Sequence, residues 1–189
     1  YPLGPDLGQC CGGAVTLLFT RAPRLVDVPQ RPTPQFAGPT LGRLWIWGAG
    51  HVGRAVVRGL PALAYDITWV DASHDRFPER VRKGIKVVPA ADMPLLAKRA
   101  PVGAHHLIFT YSHEIDLALC AALLKRGAAS IGLIGSETKK ARFFKRLRGM
   151  GLDPSPVQCP IGDKALGKAP DAIARGVVAQ LLSPETACG

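Results

Sequence analysis

The chain has 189 residues, 47% of them hydrophobic and 20% charged, which is enough apolar material for one filled core and too much for a disordered chain. The 24 Lys and Arg against 14 Asp and Glu leave a net charge of +10, favouring an anionic partner: nucleic acid, a phosphate-bearing cofactor or an acidic protein surface. No apolar run approaches the roughly 18 residues a membrane helix needs, so no membrane partner is expected.

At the start of the chain, Tyr1 stands where Met would be and no signal-peptide pattern precedes the rest, so the chain reads as a piece of something larger. Residues 8–13, GQCCGG, set Cys10 beside Cys11 in a glycine loop. Adjacent thiols are too close for an ordinary structural disulfide, and no second pair completes a zinc site. The five cysteines (with Cys120, Cys159 and Cys188) form no secreted disulfide framework, which suits a reducing cytoplasm. Residues 14–19, AVTLLF, read as a strand. Pro23, Pro29, Pro32, Pro34 and Pro39 then forbid a helix and make an extended, stiff linker. The expected organisation is residues 1–20 as the tail of a preceding domain carrying the QCCGG loop, 21–42 as a Pro-rich linker, and 43–189 as a second domain.

From residue 43 strands and helices alternate. Leu44 to Trp47 read as a buried strand, followed by Val52, Val56, Leu60 and Leu63 at helical spacing, with Pro61 arguing for a kink or an early end. Residues 67–70, 85–88, 107–110 and 131–134 are four further strands. The fourth strand of the series leads into a helix with Ile115, Ala118, Leu119 and Ala122 on its apolar face. The fifth leads into a basic helix, with Lys139, Arg142 and Arg146 along one side and Phe143, Leu147 and Met150 along another. A last helix opens at Pro170 and Asp171 and carries Ile173, Val177 and Leu181. This alternation predicts an α/β fold with a Rossmann-like, doubly wound parallel sheet, preceded by a short strand remnant of an N-terminal domain and the linker.

The strongest motif is Gly48-Ala49-Gly50-His51-Val52-Gly53, directly after the first strand of this domain. Its glycines permit a tight turn and close backbone approach, and the helix opening there offers N–H groups and a positive dipole end to a phosphate. Asp71 ends the next strand, where an acid can bind a ribose hydroxyl. Whether the ligand is a dinucleotide stays open on these residues. A parallel sheet of this kind binds at the carboxyl ends of its strands. Two other segments converge there: one holds Ser112, His113 and Asp116, the other Ser136 and Lys139. Ser112 and Ser136 stand at helix-cap positions, and His113 and Asp116, three apart on a helix turn, are near enough to share a ligand or hydrogen bond.

Other residues read differently. The cationic side of the basic helix is a solvated face by default, with an anion-binding edge or protein dock as the alternative. No helix-turn-helix or zinc-finger spacing accompanies it, so nucleic acid is not the expected partner. His105 and His106 enter a strand, alternate between its faces and read as structural, and Cys120 falls on a helix core face. Cys159, heading the Cys159-Pro160-Ile161-Gly162 loop, is either structural or close to the site.

Taken together, LGPDLGQCCGG at 3–13, GAGHVG at 48–53, Ser112-His113 with Asp116, IGLIGS at 131–136 with Thr138, Lys139 and Arg142, CPIG at 159–162 and AIARGVVAQLL at 172–182 resemble the XdhC-type xanthine dehydrogenase accessory proteins. The resemblance implies a chaperone of the molybdenum-molybdopterin cofactor. Such a protein protects the cofactor while a cysteine desulfurase exchanges an oxo ligand for sulfur, and helps insert it into apo-xanthine dehydrogenase. It implies a cytoplasmic protein, expected as a homodimer, that carries the cofactor and is not itself an enzyme. On that resemblance the cofactor's phosphate lies on Gly48, Gly50, His51 and Gly53, with Asp71, Ser112, His113, Asp116, Ser136 and Lys139 around the site. Cys10 or Cys11 then approaches the metal, thiolate being the ligand type that suits a soft centre. The sequence departs from the family's pattern at Tyr111, where His is more usual, and at Asp163, where an apolar residue is. The competing readings are an NAD(P)-dependent Rossmann oxidoreductase, supported by Asp71 and the glycine loop but lacking a substrate domain, and a nucleotide-sensing domain.

Overall fold

The computed structural model describes residues 40–183, and the backbone of two short strands before them, β1 (Pro2–Leu3) and β2 (Gly13–Ala14). These two pair antiparallel, with Pro2 opposite Ala14. Cys10, Cys11 and almost all of the linker expected over 21–42 lie outside the described residues.

The main sheet has six parallel strands in the order β5-β4-β3-β6-β7-β8. They are β3 (Arg43–Trp47), β4 (Asp66–Asp71), β5 (Lys86–Pro89), β6 (His105–Ile108), β7 (Ser130–Leu133) and β8 (Val157–Gln158). The chain builds outward from β3 through β4 to β5, then crosses back and resumes at β6 on the other side of β3. That reversal makes the crevice between β3 and β6 the topological switch point, where such sheets take their ligands. The expected Rossmann-like α/β fold is the one observed.

Alternation along the strands divides the core. Leu44 and Ile46 face the layer formed by α1 (His51–Gly59) and α5 (Pro170–Leu181), together with Ile67, Trp69, Leu107 and Phe109. Trp47, Val70, Ile108, Ile131 and Leu133 face α2 (Met93–Ala97), α3 (His113–Arg126) and α4 (Glu137–Gly149). The α1–α5 layer is tied to the sheet end by the Tyr65 hydroxyl, which donates to the Leu181 carbonyl at 2.8 Å.

Several expectations shift. α1 ends at Gly59, because Pro61 follows and the residue before a proline is pushed out of the helical region; Leu63 stands beyond the helix, exposed, at φ 65°. On α3 the buried stripe is Asp116, Leu117, Leu119, Cys120, Ala122 and Leu123, while Ala118 faces solvent. On α4, Lys139 belongs to the buried side with Phe143 and Leu147 rather than to the cationic side, and Met150 is exposed. The reason is spacing: 139, 143 and 147 share one helix stripe, which α3 covers. α2 and the two-residue β8 were not anticipated. α2 is started by the Asp92 side chain, which accepts from the Leu95 amide at 2.9 Å, with Pro94 in its first turn.

Candidate functional site

At the carboxyl end of β3 the backbone turns through the glycine loop into α1. Gly48 has φ 114°, and a Cβ there would strike the Phe109 carbonyl of the neighbouring strand segment. At Gly53 it would strike the Gly48 carbonyl. Both glycines are therefore required by the close approach of strand, turn and helix. Gly50 differs: its φ of −72° suits any residue, it is exposed, and among the described residues nothing lies within 4 Å of where a Cβ would stand. The described residues leave open space over Gly50.

Buried side chains hold the loop's polar groups in place. The Gly48 carbonyl accepts from Trp69 Nε1 at 3.0 Å, and the Ala49 carbonyl accepts from Arg54 Nε at 2.8 Å. The Gly50 carbonyl accepts from the Arg54 amide at 2.9 Å. The carbonyls are thus engaged, while α1 begins with no capping side chain among the described residues and with exposed His51 as its first residue. Helix N–H groups without a cap carry the positive end of the macrodipole and suit an anion.

Asp71, at the end of β4, is 2% exposed. Its Oδ2 accepts from the Ala49 amide at 2.5 Å and its Oδ1 from the Ala72 amide at 2.6 Å. Arg76 Nε stands 3.7 Å from the same Oδ1, and the Arg76 guanidinium lies over the Tyr111 ring at 5.4 Å. Arg54 also donates to the Arg76 carbonyl at 2.6 Å. Asp71 therefore faces the glycine loop it was expected to adjoin, as the acceptor that orients it.

The second group lies at the carboxyl ends of β6 and β7. Asp116 is 0% and Lys139 5% exposed, and Lys139 Nζ donates to Asp116 Oδ2 at 2.6 Å and to the Ile134 carbonyl at 2.9 Å. The Thr110 hydroxyl donates to Asp116 Oδ1 at 2.6 Å. Ser112 and Ser136 are the N-caps of α3 and α4, accepting from the amides of Ile115 and Lys139. His113 does not bond to Asp116. Its Nδ1 is 2.7 Å from Arg142 on α4, which as a guanidinium must be the donor. The ring is thereby held neutral with its proton on Nε2, and that buried nitrogen has no partner among the described residues. Burial, then the cations of Lys139 and Arg142, lower the His113 pKa.

The remaining candidates are placed as follows. His105 bonds the Ser130 hydroxyl on one face at 2.9 Å; His106 on the other accepts from Trp47 Nε1 at 3.2 Å. Burial lowers the His106 pKa to about 4. Cys159 is buried beside Gly135, its thiol pushed up to about 11 by burial, so it is protonated and unreactive at neutral pH. Cys120 is buried and its pKa raised in the same way. Among the described residues no group of three or more His, Cys, Asp or Glu can hold a metal, and no helix is long and apolar enough to cross a membrane. Cys10 and Cys11, the expected metal ligands, lie outside the described residues.

Sequence reasoning did not single out Arg54, Trp69 or Arg76. A buried Trp needs an acceptor for its indole N–H, which is the one signal that could have pointed from Trp69 to the loop. The arginines become visible only once β4 and α1 are packed together.

Three comparisons bear on this site. The sequence model of the XdhC Rossmann domain family matches residues 44–181. The chain is 23% identical over 183 residues to the uncharacterized protein YqeB of Escherichia coli K12, covering 93% of this chain and 30% of YqeB. It thus spans about a third of the length of that relative. In three dimensions it is similar to a solved xanthine dehydrogenase of Bacillus halodurans, with TM-score 0.59 and 21% identity, over 77% of this chain and 46% of that one. At that identity the likeness concerns the fold.

Proposed function

From the premise that the chain belongs to the XdhC family through its Rossmann domain, we propose that it is an accessory protein of xanthine dehydrogenase-type molybdoenzymes that binds the molybdenum-molybdopterin cofactor. In this reading it is a carrier and not a catalyst: it shields the cofactor during sulfuration by a cysteine desulfurase and hands it to the apo-enzyme, working as a cytoplasmic homodimer. The observation that carries the reading is the glycine loop. Among the described residues Gly50 opens onto free space while Gly48 and Gly53 are closed by packing, and the loop carbonyls are tied inward. A terminal phosphate, such as the one molybdopterin bears, fits an uncapped helix start with room for it above the backbone.

The residues that would hold the cofactor are Gly50 and His51 at the phosphate, with His113, whose Nε2 has no partner among the described residues, at the neighbouring strand end. Lys139 and Asp116 lie close by but are closed on each other, so their part is to fix the ends of α3 and α4. When bound, the cofactor supplies a soft metal centre, and Cys10 or Cys11 is the thiol donor suited to it.

The test is anaerobic gel filtration of the chain with the molybdenum cofactor, alongside titrations with NAD and NADP. Co-elution, followed by activation of apo-xanthine dehydrogenase, is the expected result. Tight NAD or NADP binding with no retention of the cofactor would overturn the reading. Loss of sulfuration, but not of retention, in Cys10→Ala or Cys11→Ala would assign the thiol to the metal end.

A further inference from the structure

The proposed site contains an acid and an arginine at the end of β4, and their geometry bears on what the site selects. The acid that a dinucleotide site turns toward a ribose diol is here Asp71, buried, with one carboxylate oxygen accepting the Ala49 amide at 2.5 Å and the other the Ala72 amide at 2.6 Å. It orients the loop. Arg76 behaves differently. It follows β4, while Tyr111 follows β6, and β3 lies between those two strands in the sheet. The contact of the Arg76 guanidinium with the Tyr111 ring, 5.4 Å to its centroid, therefore crosses the carboxyl end of β3, where the glycine loop stands. Arg54 fixes the base of this bridge by donating at once to the Ala49 and Arg76 carbonyls. The Arg76 side chain is still 46% exposed, so its cation is held in place yet open to solvent.

We propose that Arg76, stacked on Tyr111, is the specificity-determining residue of this site, and that it selects a ligand ending in a phosphate monoester over the same ligand without that phosphate. The proposal rests on the cofactor-binding reading for the location of the site. A guanidinium has a planar fork that matches phosphate oxygens, and an aromatic platform removes part of the ordering such a side chain undergoes on binding. Asp71, a positioning residue, turns its oxygens to backbone amides and, at 2% exposure, is out of reach of a ribose diol.

The experiment uses the chain and its Arg76→Ala and Arg76→Lys variants, titrated with two probe pairs: molybdopterin against its dephosphorylated form, and adenosine monophosphate against adenosine. The Arg76 side chain is half open to solvent, so folding of both variants is expected and is checked by circular dichroism. The expected result is a preference of about tenfold or more for the phosphorylated member, erased in Arg76→Ala without change in affinity for the dephosphorylated member, and partly kept in Arg76→Lys. No preference in the unsubstituted chain in either pair, or a preference that survives Arg76→Ala, would overturn the inference. If both pterin forms bind equally and Arg76→Ala changes nothing, the inference falls while cofactor binding stands. If only the adenosine pair shows the Arg76-dependent preference and neither pterin binds, the cofactor reading falls and the inference stands.

Discussion

At the carboxyl end of β3 the polar groups are those of the backbone, bonded to the buried side chains of Asp71 and Trp69, with open space over Gly50 among the described residues. At the ends of β6 and β7 the polar groups are side chains, Thr110, Asp116 and Lys139, and they close on one another out of reach of solvent. The two regions flank the same switch point, and both contain motif residues. The difference separates two uses of charge. Asp116 and Lys139 join α3 to α4 across the domain, so their ionic groups act in folding. The glycine loop has little side chain of its own: its Gly48 and Ala49 amides are bonded to the Val70 carbonyl and to Asp71, and the start of α1 beyond them carries no side-chain cap among the described residues.

The largest effect is expected from opening the closed region. Lys139→Ala leaves the Asp116 carboxylate buried without its cation and should cost about 3–5 kcal/mol in urea unfolding. Asp116→Leu with Lys139→Met should be less damaging than either change alone, since no lone charge remains. If the single change costs nothing, the pair is not structural and the contrast between the regions collapses.

A second break comes from acid, on the same face of the sheet. His106 is buried with its pKa lowered to about 4 from an ordinary value of 6.5. Above pH 6.5 the imidazole is neutral folded or unfolded, and its contribution is fully present. As pH falls toward 4 only the unfolded chain takes up the proton, so stability drops by roughly 3 kcal/mol across that window and levels off below it. Unfolding at a series of pH values, compared with His106→Gln, isolates the contribution.

Within the glycine loop, Gly53→Ala drives a Cβ into the Gly48 carbonyl and should cost about 2 kcal/mol, because backbone must move. This sharpens the comparison by showing that part of the open region is itself packing. The smallest effect belongs to Arg146, which pairs with Glu114 at 3.1 Å on the surface. Arg146→Ala should leave the thermal midpoint unchanged within error, since exposed ion pairs are screened by water and salt.

Much of this contrast was readable in the sequence. A strand, GAGHVG and an acid ending the next strand place the loop and Asp71, because turn, helix start and strand end are local features. The alternation of strands and helices likewise gives the parallel sheet. The closed pair was half visible. Lys139 shares a stripe with Phe143 and Leu147, and Asp116 one with Cys120 and Leu123, so each charge stands in an apolar row. A basic helix nonetheless reads as a cationic surface until α3 is laid against it, since the partner is 23 residues away. The Arg76–Tyr111 bridge was not visible, because it joins loops after two strands that are not neighbours in the sheet.

The most direct test of the central claim is the affinity of molybdenum cofactor for Gly50→Ala, measured beside its thermal midpoint. A Cβ at Gly50 meets nothing among the described residues, so the midpoint should stay where it is while cofactor affinity falls by about tenfold or more. An unchanged affinity with an unchanged midpoint would contradict the account, for it would mean that the cofactor does not rest on the glycine loop.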